Sequence, residues 1–167
     1  MTIWAFRGRG ALLRIPRADW HQLIDELGRR GGGAREAGAF LLADQARNGR
    51  RVTRVVYLDD LDPACLNGGI HLDGRAYSKL WDLCENERLV VIGDVHTHPG
   101  TSVRQSCIDA DNPMIAQDGH VALIVPALAT RPTRAREVGV HRYDGTGGWT
   151  TWTGRPAGRR LFIRRCV

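Results

Sequence analysis

Leu89-Val90-Val91-Ile92 runs through Gly93-Asp94-Val95 into His96-Thr97-His98-Pro99, and further on the chain places Ser106 and Asp109 with two residues between them. The apolar run reads as a buried strand. An extended chain leaving it turns alternate side chains to one side, so His96 and His98 converge while Thr97 faces away. Pro99-Gly100-Thr101-Ser102 breaks the strand, and Ser106 reads as the N-cap of a short helix that carries Asp109 back toward the histidines. Two neutral imidazoles and one carboxylate leave the fourth tetrahedral position of a zinc ion open, the arrangement of a catalytic site rather than a structural one. A metal held this way activates a water at neutral pH and polarises a carbonyl. His-x-His alone is also compatible with a surface strand, and Ser-x-x-Asp alone with a simple helix cap. The four positions together favour the metal site, with Ser106 both capping and acting in the chemistry.

The rest of the chain frames this segment. The 167 residues are enough for one core and short for two, which predicts a single domain over 1–167. A hydrophobic share of 43% with 25% charged residues is that of a folded globule rather than a disordered chain. There is no uninterrupted apolar run of the roughly 18 residues that a membrane span needs, and Met1–Arg7 lacks the regions of a signal peptide. The expectation is a cytoplasmic protein without membrane contact. Cys65, Cys84, Cys107 and Cys166 form no Cys-x-x-Cys pair, so they are expected to be free thiols, with Cys107 buried as a small hydrophobe.

Trp20, Leu23, Ile24 and Leu27 recur at helical spacing and stop at Gly31-Gly32-Gly33. Strands follow near 38–43 and 52–58. Asp73 reads as the N-cap of a second helix that buries Tyr77, Leu80, Trp81 and Cys84. A strand at Val121–Val125 and a hairpin from Val138 to Trp152 around Asp144-Gly145 come next, then an edge strand and tail over 155–167. His120 and His141 sit on or beside these strands and are read as structural or surface residues. The alternation of strands and helices gives an α/β fold class.

The pattern His96-Thr97-His98-Pro99, six intervening residues, Ser106, two residues, Asp109 resembles the JAMM motif of JAB/MPN-domain zinc metalloproteases. These enzymes cleave peptide or isopeptide bonds after the C-terminus of ubiquitin and ubiquitin-like proteins. The family pairs the motif with an upstream glutamate in a context like Glu-x-x-Gly-x-Leu-x-Gly. Glu36-Ala37-Gly38-Ala39-Phe40-Leu41-Leu42-Ala43 fits that slot, with Ala39 and Ala43 where the family has glycine. Glu26 and Asp94 are weaker alternatives for the carboxylate.

The resemblance extends from Glu36 to the strand at Val121. It implies an MPN-like sandwich, a curved mixed sheet flanked by helices. It also implies that His96, His98 and Asp109 hold Zn2+, that Glu36 is the general base and that Ser106 stabilises the oxyanion. The short span between Asp109 and His120 points to the compact prokaryotic type, associated with bacterial ubiquitin-like conjugation and in several cases with antiphage defence. The implied partners are a ubiquitin-like protein and its conjugates, beside E1-like and E2-like proteins of the same system.

Charge bears on the alternatives. The net charge is +6, and Lys79 is the one lysine among 24 Lys and Arg residues. Arginine suits phosphate contacts, yet these arginines are scattered among acids without interleaved aromatics, which argues against nucleic acid as a partner. Two other functions stay open beside the isopeptidase: maturation of a sulfur-carrier protein by the same chemistry, and a non-catalytic MPN scaffold or basic nucleic-acid-binding domain in which the histidines are incidental.

Overall fold

Residues 10–47 and 49–164 are described by the structure, a computed structural model. The apolar run forms the central strand β4 (Leu89–Thr97), and the two strands on either side of it are apolar, save for Asp44 at the end of one, because both of their faces are covered. On one side lies β2 (Gly38–Asp44), antiparallel to β4, with Phe40, Leu41 and Leu42 all fully buried. On the other lies β5 (Val121–Val125), parallel to β4 and buried at every residue. Beyond β2 comes the short β3 (Arg54–Tyr57). Beyond β5 come β6 (Gly139–Tyr143) and β7 (Trp149–Trp152), closing a six-stranded mixed sheet in the order β3-β2-β4-β5-β6-β7.

Two long helices supply the apolar stripes that cover the sheet. Helix α1 (Arg17–Gly31) buries Trp20, Leu23, Ile24 and Leu27, and it ends where Gly32 adopts a left-handed conformation. A single turn, α2 (Leu58–Leu61), leads toward α3 (Gly74–Glu87), whose N-cap Asp73 accepts from the Ala76 amide as expected. Helix α3 buries Ala76, Leu80 and Cys84, whereas Trp81 is 46% exposed and does not join the core. The expectation that Trp81 lines the buried face is thereby corrected.

The C-terminal reading also needs correction. Residues expected to begin an edge strand at 155 instead form α5 (Gly154–Arg160), and the strand β8 (Leu161–Arg164) follows it. β8 pairs in parallel with β1 (Leu13–Pro16) in a separate two-stranded sheet, Leu13 opposite Leu161 and Ile15 opposite Ile163. The tail residues 165–167, with Cys166, and the N-terminal stretch 1–9 lie outside the described residues. Both sheets share one apolar core, in which Leu13, Ile15 and Leu161 join Trp20, Phe40 and Leu123. Among the described residues no helix is long and apolar enough to cross a membrane.

The parallel pairing of β4 with β5 fixes where a site can be built. Parallel neighbours need a crossover connection, so the chain leaves the end of β4 and travels over the sheet before returning. In open α/β sheets, ligands bind in the crevice outside such strand ends. Here the crossover contains Pro99–Gln105, helix α4 (Cys107–Asp111) and the loop to His120.

Candidate metal centre

His96 is the penultimate residue of β4 and His98 the first beyond its end, so both project to the side expected from strand alternation. Backbone bonds continue past the strand and fix the second imidazole: His98 N–H donates to Val125 O at 2.9 Å, and His98 O accepts from Leu128 N–H at 2.8 Å. The latter amide belongs to a turn of unusual conformation. Ala127, Leu128 and Ala129 have φ of 54°, 51° and 55°, three successive left-handed residues with no glycine among them. Ala127 N–H also donates to Gly100 O, so the turn grips the His98-Pro99-Gly100 segment twice.

Ser106 caps α4 in a reciprocal box. Its Oγ accepts from the Asp109 amide at 3.1 Å, and the Asp109 carboxylate accepts from the Ser106 amide at 2.8 Å. A helix of 5 residues has little stability of its own and needs outside anchors. Trp149 Nε1–H donates to Ala110 O at 3.0 Å and ties α4 to β7. The loop before α4 is pinned by His141, which is fully buried, with Nε2 3.0 Å from Val103 O and Nδ1 2.9 Å from Thr151 Oγ1. Val103 O sits so close over Gly139 that a Cβ there would lie 2.0 Å from it.

These supports bring three donor groups together. His96 Nε2 lies 3.1 Å from His98 Nε2 and 3.7 Å from Asp109 Oδ1, and His98 Nε2 lies 3.3 Å from Asp109 Oδ2. A tetrahedral zinc with bonds of about 2.0–2.1 Å sets its ligand atoms roughly 3.3 Å apart. The group His96, His98, Asp109 therefore has the donors and the spacing to hold a metal ion. Burial disfavours charge on His96, but Asp109 and Asp94 outweigh it and push its pKa up to about 9. Burial likewise opposes the Asp109 anion, yet hydrogen bonds from His96, His98 and Ser106 hold its carboxyl well below the usual carboxylate range.

Glu36 lies just before β2, half-buried, and lines the same cleft as His96, Ser106 and Asp109. Its position is set by Thr97, the residue facing away from the histidines. Thr97 N–H donates to Ala37 O at 2.9 Å, and Thr97 Oγ1 accepts from Ala37 N–H at 3.0 Å. Gly38 pairs with His96 across the strands. A Cβ at Gly38 would lie 2.7 Å from Leu58 and 2.9 Å from Val95 O, so the close approach that demands glycine falls here. Ala39 and Ala43 are buried without difficulty. Glu36 makes no ion pair or hydrogen bond among the described residues. Glu26 is instead engaged by Arg29 and Arg30 on α1.

The cleft has a volume of about 610 Å³. The loop Asn67–Leu72 forms one wall, and Ile108, Asn112 and Met114 form another. Ile108 is 74% exposed beside Asp109. Tyr77 reaches the cleft from α3 and donates its hydroxyl to Met114 O at 3.0 Å. Cys107, expected to be buried, is exposed, and Cys65, Cys84 and Cys107 are free thiols.

In the sequence Asp94 is a weaker alternative for the catalytic carboxylate and His120 a structural or surface residue; the structure gives both a different place, behind His96. Asp94 is buried and accepts from His120 Nε2 at 2.6 Å, while its other oxygen lies 3.9 Å from His96 Nδ1. Strand alternation puts Asp94 on the face of His96 and was the available signal for it. Nothing local marks His120, which arrives from the far end of the crossover.

No family model matches the chain. Among solved structures it is similar to a protein from Desulfitobacterium hafniense, with a TM-score of 0.62 at 16% identity, covering 93% of this chain and 94% of that one. A protein from Salinibacter ruber gives a TM-score of 0.59 at 16% identity over 91% of each chain. A JAB1/MPN domain protein from Archaeoglobus fulgidus gives 0.43 at 15% identity, covering 92% of this chain and 97% of that one. At these identities the first two likenesses establish the fold, an α/β domain with a mixed sheet flanked by helices.

Proposed function

We propose that the protein is a zinc-dependent metalloisopeptidase or peptidase that cuts after the C-terminus of a ubiquitin-like protein. The reading is carried by one observation: Glu36 and Ser106 line the cleft beside the His96, His98 and Asp109 donor set, although 60 residues separate Glu36 from His96. The donor set fits zinc, and a zinc ion held by His96, His98 and Asp109 would supply water activation and polarisation of the scissile carbonyl.

The chain's own groups supply the remaining chemistry. Glu36, an unpartnered carboxylate facing the cleft, takes a proton from the attacking water and returns it to the leaving amine. Ser106 Oγ already accepts the Asp109 amide, which leaves its hydroxyl proton free to donate to the carbonyl oxygen as negative charge gathers there. A cleft walled by Gly68, Gly69 and Ile70 suits an extended, small-residue tail. The proposed partners are accordingly a ubiquitin-like protein and its conjugates, in a system that also contains E1-like and E2-like proteins.

Zinc content and cleavage of a ubiquitin-like protein fused through its C-terminal glycine test this reading. Glu36→Ala is expected to keep zinc and lose cleavage, and His98→Ala to lose both. Ser106→Ala should lower kcat by roughly 10²–10³-fold. Cleavage surviving Glu36→Ala overturns the assignment of the base, and full activity in zinc-free protein overturns the mechanism.

A further inference from the structure

We propose that Asp94 and His120 form a positioning pair that holds His96 in the ring orientation and tautomer needed to bind the metal. The inference rests on the metal reading above and adds two residues to it. His96 is placed between two sets of groups. Its Nε2 faces His98 and Asp109, and its Nδ1 faces Asp94, whose Oδ2 is 3.9 Å away. A carboxylate behind Nδ1 favours the proton on that nitrogen and leaves the Nε2 lone pair for the metal.

The cost of placing Asp94 here calls for a reason beyond packing. It is 3% exposed, on a strand whose neighbours Val95, Phe40 and Leu123 are fully buried, and a carboxylate in such surroundings is costly unless paired. His120, 4% exposed, supplies the pair at 2.6 Å through Oδ1. That contact orients the carboxylate and leaves Oδ2 directed at His96. The parallel register sets Asp94 opposite Ala122, so the strand start that carries His120 is fixed against β4 by the sheet itself. His98 has no carboxylate other than Asp109 within ion-pair distance among the described residues. His96 is therefore the ligand held from behind, and His98 is held through its backbone.

The test measures Zn2+ affinity by competition titration on the full chain and the ring nitrogens of His96 by NMR. Asp94→Asn and His120→Gln are expected to weaken Zn2+ binding by roughly 10–100-fold. In the zinc-loaded wild type, Nδ1 of His96 should carry the proton. A pair that only stabilises the fold would lower Tm in both variants and leave Zn2+ affinity and the His96 tautomer unchanged, which overturns the proposal. If Asp94→Asn fails to fold, His120→Gln and the wild-type tautomer decide, and a wild-type His96 bound through Nδ1 overturns the proposal without any variant. Failure of the wild type to bind Zn2+ overturns the metal reading itself, whereas strong wild-type binding with unchanged affinity in the variants overturns only the role of the pair.

Discussion

At the scale of single residues, the facing of His96 and Asp109 has a pH signature in protein stripped of metal. His96 has a folded pKa raised from its ordinary 6.5 to about 9, so its contribution to stability is fully present below 6.5 and is lost as pH rises toward 9. Asp109 is shifted the other way, so its contribution is present above its ordinary 3.8 and declines as pH falls below it. The His96–Asp109 contact is common to both shifts, with Asp94 adding to that of His96 and His98 and Ser106 to that of Asp109. Tm of the stripped protein should therefore fall between pH 6.5 and 9, and Asp109→Asn should flatten that slope. An unchanged slope in Asp109→Asn would mean that the decline has another source. Because binding a metal requires a neutral His96, the same shift makes metal uptake release a proton near neutral pH, and uptake weakens as pH falls.

The residues that carry this signature were legible because their chemistry is local. His96, His98, Ser106 and Asp109 lie within 14 residues, and strand alternation plus a helix cap is enough to converge them. Glu36 was legible only through its resemblance to a family pattern, since no periodicity links it to a histidine 60 residues away. Its partner Thr97 explains the placement: the residue between the two histidines grips Ala37 with both its amide and its hydroxyl. The reading of His120 and His141 as structural or surface residues omitted their polar roles. Both are buried, and each uses ring nitrogens to hold a group that supports the site.

At the scale of elements, α4 is the weak link. It spans 5 residues, and its position depends on the capping box, on Trp149 and on the loop pinned at Val103. Gly139→Ala should dislodge that loop, because the added Cβ would meet backbone oxygen rather than a flexible side chain. The expected result is a Tm loss together with at least tenfold weaker Zn2+ binding, measured by differential scanning calorimetry and by competition titration. Loss of Tm with intact zinc affinity would show that α4 does not depend on Val103. Long elements with strong periodicity, α1 and the Asp73-capped α3, were readable from sequence. The parallel pairing of β1 with β8 was not, because its partners lie nearly 150 residues apart, β1 alternates over only 4 residues and β8, with Leu161, Phe162 and Ile163 in succession, has no apolar–polar alternation. The same holds for α5, in which Gly154, Pro156 and Gly158 disguise a helix held by its neighbours.

At the scale of the whole molecule, a bound metal would join the end of the central strand to the crossover that returns to its parallel neighbour. Ligand binding to the folded state alone stabilises it by about 2.7 kcal/mol at 100 times Kd, which for a chain of this size corresponds to a Tm rise of roughly 5–11 °C. Adding Zn2+ to stripped protein should produce that rise in a thermal melt, and His98→Ala should abolish it. A zinc-induced shift that survives His98→Ala would place the metal elsewhere.

The left-handed turn at Ala127-Leu128-Ala129 also sets a limit on how this chain can change in length. Each of these residues bears a conformation that costs an ordinary L-residue about 1–2 kcal/mol. Only a fixed register lets the Ala127 and Leu128 amides meet Gly100 and His98. The exposed hairpin tip around Thr146 and Gly147 is closed by its own bonds to Asp144, so a residue inserted there disturbs that turn and leaves the segment carrying the histidines in place. An insertion between Val125 and Thr130 is not confined in this way: it would shift the amides off the carbonyls and release the strand end that carries His98.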